Sequence, residues 1–144
     1  MPHRGNMLLV KGLEYADTDS MCSAALACLG SDCLFYDKGR GGVAAEISIE
    51  IMAQGVGLLT GYREYLRQEE TAGVAMLLSI KSYEVYCDTI PIDTTLRTTN
   101  EMVMEELPIG VYSCKLYRAE DNYLLAKAEI TAYKPAHSHA LHHC

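Results

Sequence analysis

Two residues of this chain have side chains and settings suited to moving a proton. Glu50 lies in the run Gly41–Gln54, GGVAAEISIEIMAQ, a stretch apolar enough to be buried. An unpaired buried charge is costly. A carboxylate kept there is therefore either paired, with Arg4, Arg40 or a backbone amide, or used in chemistry. His3 follows Pro2, and no further histidine occurs until the C-terminal tail. Imidazole titrates near neutral pH and a carboxyl group below it, so the two could divide general acid and base work between them. The tail gathers His137, His139, His142, His143 and Cys144 after Pro135. Such a tract can bind zinc or nickel, but a mobile extension is the expected reading, and no metal or cofactor is assigned.

Helical periodicity runs from Ala44 to Gln68. Ile47, Ile51, Gln54, Leu58 and Tyr62 form one stripe. Glu46 and Glu50 lie one turn apart on a face continued by Ala53 and Gly57. A glycine inside a helix costs up to about 1 kcal/mol against alanine. Gly55, Gly57 and Gly61, with Ala53, thus predict a sheet packed very close to the helix. The rest reads as strand: Met7–Asp17 and Met21–Leu29 around the turn Asp17-Thr18-Asp19-Ser20, then Gly73–Asp88, Leu96–Leu107, Val111–Ala119 and Tyr123–Tyr133. Pro108-Ile109-Gly110 and Glu120-Asp121-Asn122 read as turns, and Ser31–Gly42 as a loop. One helix and six strands predict a single α+β domain over residues 1–134. Its architecture would be the hot-dog arrangement, a curved antiparallel sheet wrapped around one long central helix. Residues 135–144 are expected to be disordered.

The 144 residues suffice for one core. The net charge of −7 argues against a nucleic-acid footprint and against a polybasic membrane contact. No apolar run reaches the roughly 20 residues a membrane span needs. Leu8-Leu9-Val10, ended by Lys11, is too short for the core of a signal peptide. The six cysteines contain no Cys-x-x-Cys pair. They are expected to act as small buried hydrophobes in a reducing cytoplasm.

The chain resembles the 3-hydroxyacyl-acyl-carrier-protein dehydratases of the hot-dog superfamily over essentially residues 1–134. Ile49-Glu50-Ile51-Met52-Ala53-Gln54 is similar to that family's helix motif, whose glutamate is catalytic. Pro2-His3-Arg4 with Met7-Leu8-Leu9-Val10 is similar to its N-terminal segment. The main family carries its catalytic histidine in a proline-rich loop before the helix. Counting back from Glu50 puts Tyr36 at that place, and the loop from Tyr36 to Ala45 keeps only Gly39 of the pattern. The chain therefore looks more like a divergent, ApeP-like branch found in aryl-polyene-type biosynthesis, which lacks the loop histidine and has the Pro-His pair. Family members usually have a short segment before that pair, whereas this sequence starts at Met1, so His3 is expected to be loosely held.

The resemblance implies a dehydratase acting on 3-hydroxyacyl thioesters carried by acyl carrier protein, or by coenzyme A, with His3 and Glu50 as catalytic groups. It implies that the backbone N–H of Ala45 or Glu46 faces the thioester oxygen. It further implies a dimer, since in this fold imidazole and carboxylate come from different subunits; that dimer would be a homodimer, or a hetero-oligomer with another hot-dog subunit. Gln54 lies near the site in the family, though a packing role with a polar tip is the plainer reading. Glu46 reads more simply as a first-turn carboxylate favoured by the helix dipole. Tyr36 would be a weak acid at best, its ordinary pKa being near 10. Lys38, Arg40, Arg63 and Arg67 could meet an acidic carrier protein or be ordinary solvated surface. Two other readings stay open: a thioesterase on the same fold with Glu50 activating water, and a non-catalytic acyl-binding partner of another hot-dog protein.

Overall fold

The computed structural model describes residues 9–68 and 76–134. Six strands form one antiparallel sheet. In chain order they are β1 (Val10–Asp17), β2 (Cys22–Cys28), β5 (Met76–Val85), β7 (Thr95–Glu106), β8 (Ile109–Arg118) and β9 (Tyr123–Tyr133). Their spatial order is β1-β2-β7-β8-β9-β5. Across its concave face lies one helix, α1 (Ile47–Leu66). This is the α+β arrangement expected from the sequence. The tips behave as their residues dictate. Asp17 accepts the N–H groups of Asp19 and Ser20 at 3.0 and 3.4 Å to turn β1 into β2. Asp121 takes the Arg118 guanidinium and the Tyr123 N–H between β8 and β9.

Three details differ from the sequence expectation. The segment expected as a loop at Ser31–Gly42 holds β3 (Tyr36–Asp37) and the start of β4 (Gly42–Ala44), which join β6 (Thr89–Pro91) in a second, three-stranded sheet. β3 pairs with β4 in a two-residue ladder, and β4 pairs with β6, which is remote in sequence, so no local pattern announces that second contact. Ile109 and Gly110 already belong to β8, leaving a tighter connection at Leu107-Pro108. The buried face of the helix is broader than the expected stripe: Ile51 and Gln54 of that stripe are buried and Ile47 and Leu58 half-buried, but Ser48, Met52, Gly55, Val56, Leu59, Thr60 and Arg63 are buried as well, while Tyr62 is exposed. A helix apolar on nearly all sides carries little periodic signal, and packing chooses the face.

That choice rests on Gly55. A Cβ built there would lie 2.4 Å from Asn100 Nδ2 and 2.9 Å from Thr98 Cγ2, both on β7. Gly57 and Gly61 face open space instead. The expected tight wrapping thus explains one helix glycine and not the other two. Asn100 and Ser23, opposite each other on β7 and β2, are buried, and their Nδ2 and Oγ have no hydrogen-bond partner among the described residues. Cys114 is the one fully buried cysteine described, its thiol pushed up to about 12 by burial; Cys22, Cys28, Cys33 and Cys87 are half-buried. The expectation that all act as buried hydrophobes thus holds in full only for Cys114. Cys144 and the tail histidines lie outside the described residues.

Gly55→Ala should destabilise the protein by about 1–3 kcal/mol through overpacking, despite the gain in helix propensity. Gly57→Ala and Gly61→Ala should stabilise it by roughly 0.5–1 kcal/mol. Urea unfolding of the three variants checks the contrast.

Candidate active site

The helix start is fixed by β4. At Gly42 a Cβ would meet Ile90 O of β6 at 2.5 Å, so only glycine lets the two strands close here. Two residues after β4 ends, the helix begins. Ala45 is buried, and Glu46 caps the helix with helical backbone angles and no side-chain cap bond. Ser48 N–H donates to Ala45 O at 3.0 Å and Ile49 N–H to Glu46 O at 3.2 Å. The first-turn N–H groups of a helix lack intrahelical acceptors and carry the positive end of its dipole. Ala45 and Glu46 thus stand at the positive end of the helix.

Glu46, Glu50 and Gln54 succeed one another by single turns along α1. Glu46 is exposed, Glu50 half-buried and Gln54 buried. The expectation of a buried Glu50 is met only halfway within one chain, because the helix is only partly covered at this position. Gln54 has a definite structural task. Its Oε1 accepts the N–H of Leu9 at 2.8 Å and of Val10 at 3.1 Å, stitching the start of β1 onto the helix one turn from Glu50. Tyr36, half-buried on β3, pairs with Val43 of β4, two residues before Ala45. Arg40 makes an ion pair with Asp37 at 3.9 Å on the hairpin between β3 and β4. His3 and Arg4 lie outside the described residues.

Arg63 is not a surface cation. It is buried and forms a two-point pair with Glu105 of β7, Nη1 to Oε1 at 3.0 Å and Nη2 to Oε2 at 2.7 Å. Beside it Tyr112 is pushed up to about 12, chiefly by burial. Of the basic residues expected to meet a carrier protein, Lys38, Arg40 and Arg67 remain exposed. Among the described residues no cluster of His, Cys, Asp and Glu could hold a metal ion.

Sequence reasoning missed Tyr83 of β5. Its hydroxyl reaches the first turn of α1, 2.9 Å from Ser48 Oγ and 3.3 Å from Ala45 O. Only the irregular strand geometry that aims it there could have revealed it.

A single long helix embraced by a curved antiparallel sheet, with a carboxylate on its exposed face, defines a hot-dog-fold protein. The chain matches the ApeP-like family, described as ApeP dehydratase, over residues 1–143, and belongs to it. The structure is similar to the dehydratase heterocomplex ApeI:P from Xenorhabdus doucetiae, with a TM-score of 0.84 and 17% identity over 99% of this chain and 92% of that one. It is also similar to AziG from S. sahachiroi, with a TM-score of 0.62 and 18% identity over 87% and 90% of the two chains. A Streptococcus mutans protein, smu.793, bound to acetyl CoA, aligns with a TM-score of 0.67 and 12% identity over 95% and 97%. No curated protein matches the sequence. No helix among the described residues is long and apolar enough to cross a membrane.

Gln54→Met keeps the side-chain length and removes the acceptor shared by Leu9 and Val10. Each buried N–H left without a partner costs about 1–3 kcal/mol. Stability should fall by an amount in that range or above it, with the fastest gain in amide exchange at Leu9 and Val10. Exchange rates read by NMR check the site of the loss.

Proposed function

We propose that the chain is a cytoplasmic dehydratase subunit acting on 3-hydroxyacyl thioesters held by acyl carrier protein, in polyene or fatty-acid-like biosynthesis. One observation carries this reading. Gln54, one helical turn from Glu50, holds the N–H of Leu9. His3 is six residues upstream, and six extended residues span about 20 Å, enough to reach Glu50 of the same chain or of a neighbouring subunit. Ala53, Gly57 and Gly61 continue the Glu50 face with almost no side chain, and the two glycines border open space. That leaves room for an acyl chain alongside the carboxylate.

Dehydration removes a proton from C2 and the hydroxyl from C3, forming the C2–C3 double bond and releasing water. The thioester oxygen gains negative charge as the C2 proton leaves, and the amides of Ala45 and Glu46 face it there. The imidazole of His3 and the carboxyl of Glu50 divide the remaining work, one accepting the C2 proton and the other protonating the departing hydroxyl. Tyr36 occupies the place of the missing loop histidine and at most shapes the pocket wall.

The active unit would contain a second hot-dog subunit. Strand β5 is an edge of the sheet, yet Met76, Leu77, Leu78 and Val85 on it are exposed. An exposed apolar edge invites pairing with another chain. The similar ApeI:P assembly is a heterocomplex, which favours a different hot-dog chain as partner over a second copy. A non-catalytic partner role is the reading to beat, because the loop histidine is replaced by Tyr36.

Hydration of a crotonyl thioester, followed by loss of its conjugated absorbance, tests the assignment on the chain with its partner. Glu50→Gln should lower turnover by on the order of a hundredfold, and His3→Ala by a comparable factor, with the fold intact. Full activity in both variants would make the chain a silent subunit. Release of free thiol would make it a thioesterase. For the assembly, sedimentation should show no monomer at micromolar concentration, and charged substitutions at Leu77 and Val85 together should release one.

A further inference from the structure

Strand β5 does not run regularly past Tyr83. Ile80 pairs with Ile130, Lys81 with Glu129, then Glu84 with Lys127, so Ser82 and Tyr83 together face the single residue Ala128 of β9. This is a β-bulge, one extra residue on the edge strand. Ser82 sits in it at φ +54°, a left-handed conformation uncommon outside glycine and asparagine. The extra residue changes which side of the sheet the next side chain faces. Simple alternation from Ile80, which packs on the core, would send Ser82 inward and Tyr83 outward. With the bulge, Tyr83 packs on the core side as Ile80 does.

Its hydroxyl lands on the start of α1. It donates to Ala45 O at 3.3 Å. With that proton committed, the hydroxyl of Ser48, a residue with no exposed surface, donates to the Tyr83 oxygen at 2.9 Å. Ala45 O also receives the Ser48 N–H at 3.0 Å. One tyrosine from the sheet edge therefore holds both the last residue before Glu46 and the first buried side chain of the helix. The Gly42 contact with β6 fixes the chain just before this point.

We infer that Tyr83 is a positioning residue: the bulge at Ser82 aims its hydroxyl at the first turn of α1, so that the edge strand β5 sets the direction of the Ala45 and Glu46 amides. The inference rests on the reading of that turn as the thioester-binding end. It also links assembly to the site. The same ten-residue strand offers its outer edge to a partner and its Tyr83 hydroxyl to the helix start. A partner pairing along β5 would hold the bulge, and through it the amides, in place.

The test compares Tyr83→Phe, Ser82→Gly, Ser82→Val and the control Tyr86→Phe in the full chain with its partner. Tyr83→Phe removes one oxygen and keeps the packing. It should lower kcat for crotonyl-thioester hydration by about tenfold with KM changed less than about twofold, the signature of misdirected rather than lost binding groups. Ser82→Gly preserves the left-handed position and should keep full turnover. Ser82→Val, β-branched where φ is positive, should reproduce the Tyr83→Phe loss. Tyr86→Phe should change nothing. Amide exchange at Ile47–Glu50 is read in parallel and needs no activity; it should quicken by about tenfold in Tyr83→Phe and Ser82→Val, a loss of local protection of the kind that exchange detects. Unchanged kcat in Tyr83→Phe, or unchanged exchange at the helix start, overturns the inference. If the unmodified complex fails to hydrate the thioester, the dehydratase reading falls, and the exchange data alone decide whether Tyr83 anchors the turn.

Discussion

The approach of the helix to the sheet at Gly55 governs the rest of the molecule. Asn100 and Thr98 occupy the space a side chain at Gly55 would need. A 20-residue helix can lie this deep in the concavity only with that one face toward β7. Rotating it would bring a larger residue against Asn100. The same contact therefore decides which residues face away from the sheet, and Glu50 is among those only half-covered. The Glu50 carboxylate owes its partial accessibility to a glycine on the opposite side of its own helix.

Once the face is chosen, every polar group carried inward needs a partner, and these partners define the helix along its length. At the start, Ser48 meets Tyr83. In the middle, Gln54 receives Leu9 and Val10. Toward the end, Arg63 pairs with Glu105, and Lys134 meets Glu64 at 3.0 Å where both side chains are largely buried. Such buried pairs add little net stability, since desolvation offsets most of their attraction. Their value is in register: a helix slipped by one residue would leave several charges and amides unpaired at once, and each would be costly. Asn100 Nδ2 and Ser23 Oγ are the exceptions, buried with no hydrogen-bond partner among the described residues beside the contact that sets the packing.

A protein organised this way is complete in its core and incomplete at its margins. The face bearing Glu50, Gly57 and Gly61 and the apolar edge of β5 both end in open space or solvent. Large exposed apolar side chains gathered on one edge strand are uncommon in a protein that works as a single chain. The two margins meet at Tyr83, whose strand is the edge and whose hydroxyl touches the helix start. The edge of the sheet and the start of the helix are thus joined through one strand.

The sequence by itself determined the composition of elements and the chemistry they could carry. One apolar, glycine-bearing helical run among alternating strands fixes a single helix wrapped by a sheet, because no other partner exists to bury it. The Glu50 motif and the Pro2-His3 pair point to proton transfer, since residue type alone sets what a side chain can donate or accept. Tertiary structure decided the rest. The buried face of the helix depends on a steric contact between Gly55 and residues on β7, remote in sequence. The short strand β4, on which β3 folds back, is held in a sheet only because β6 arrives beside it. Arg63 reads as a surface cation on a helix end and becomes a buried ion-pair member only because Glu105 comes within reach of it. Tyr83 reads as one more aromatic strand residue, and acquires its place at the helix start only through a bulge in its pairing with β9. In each case a partner distant along the chain supplies the energy or the obstruction, and local pattern carries no trace of a partner it has not yet met.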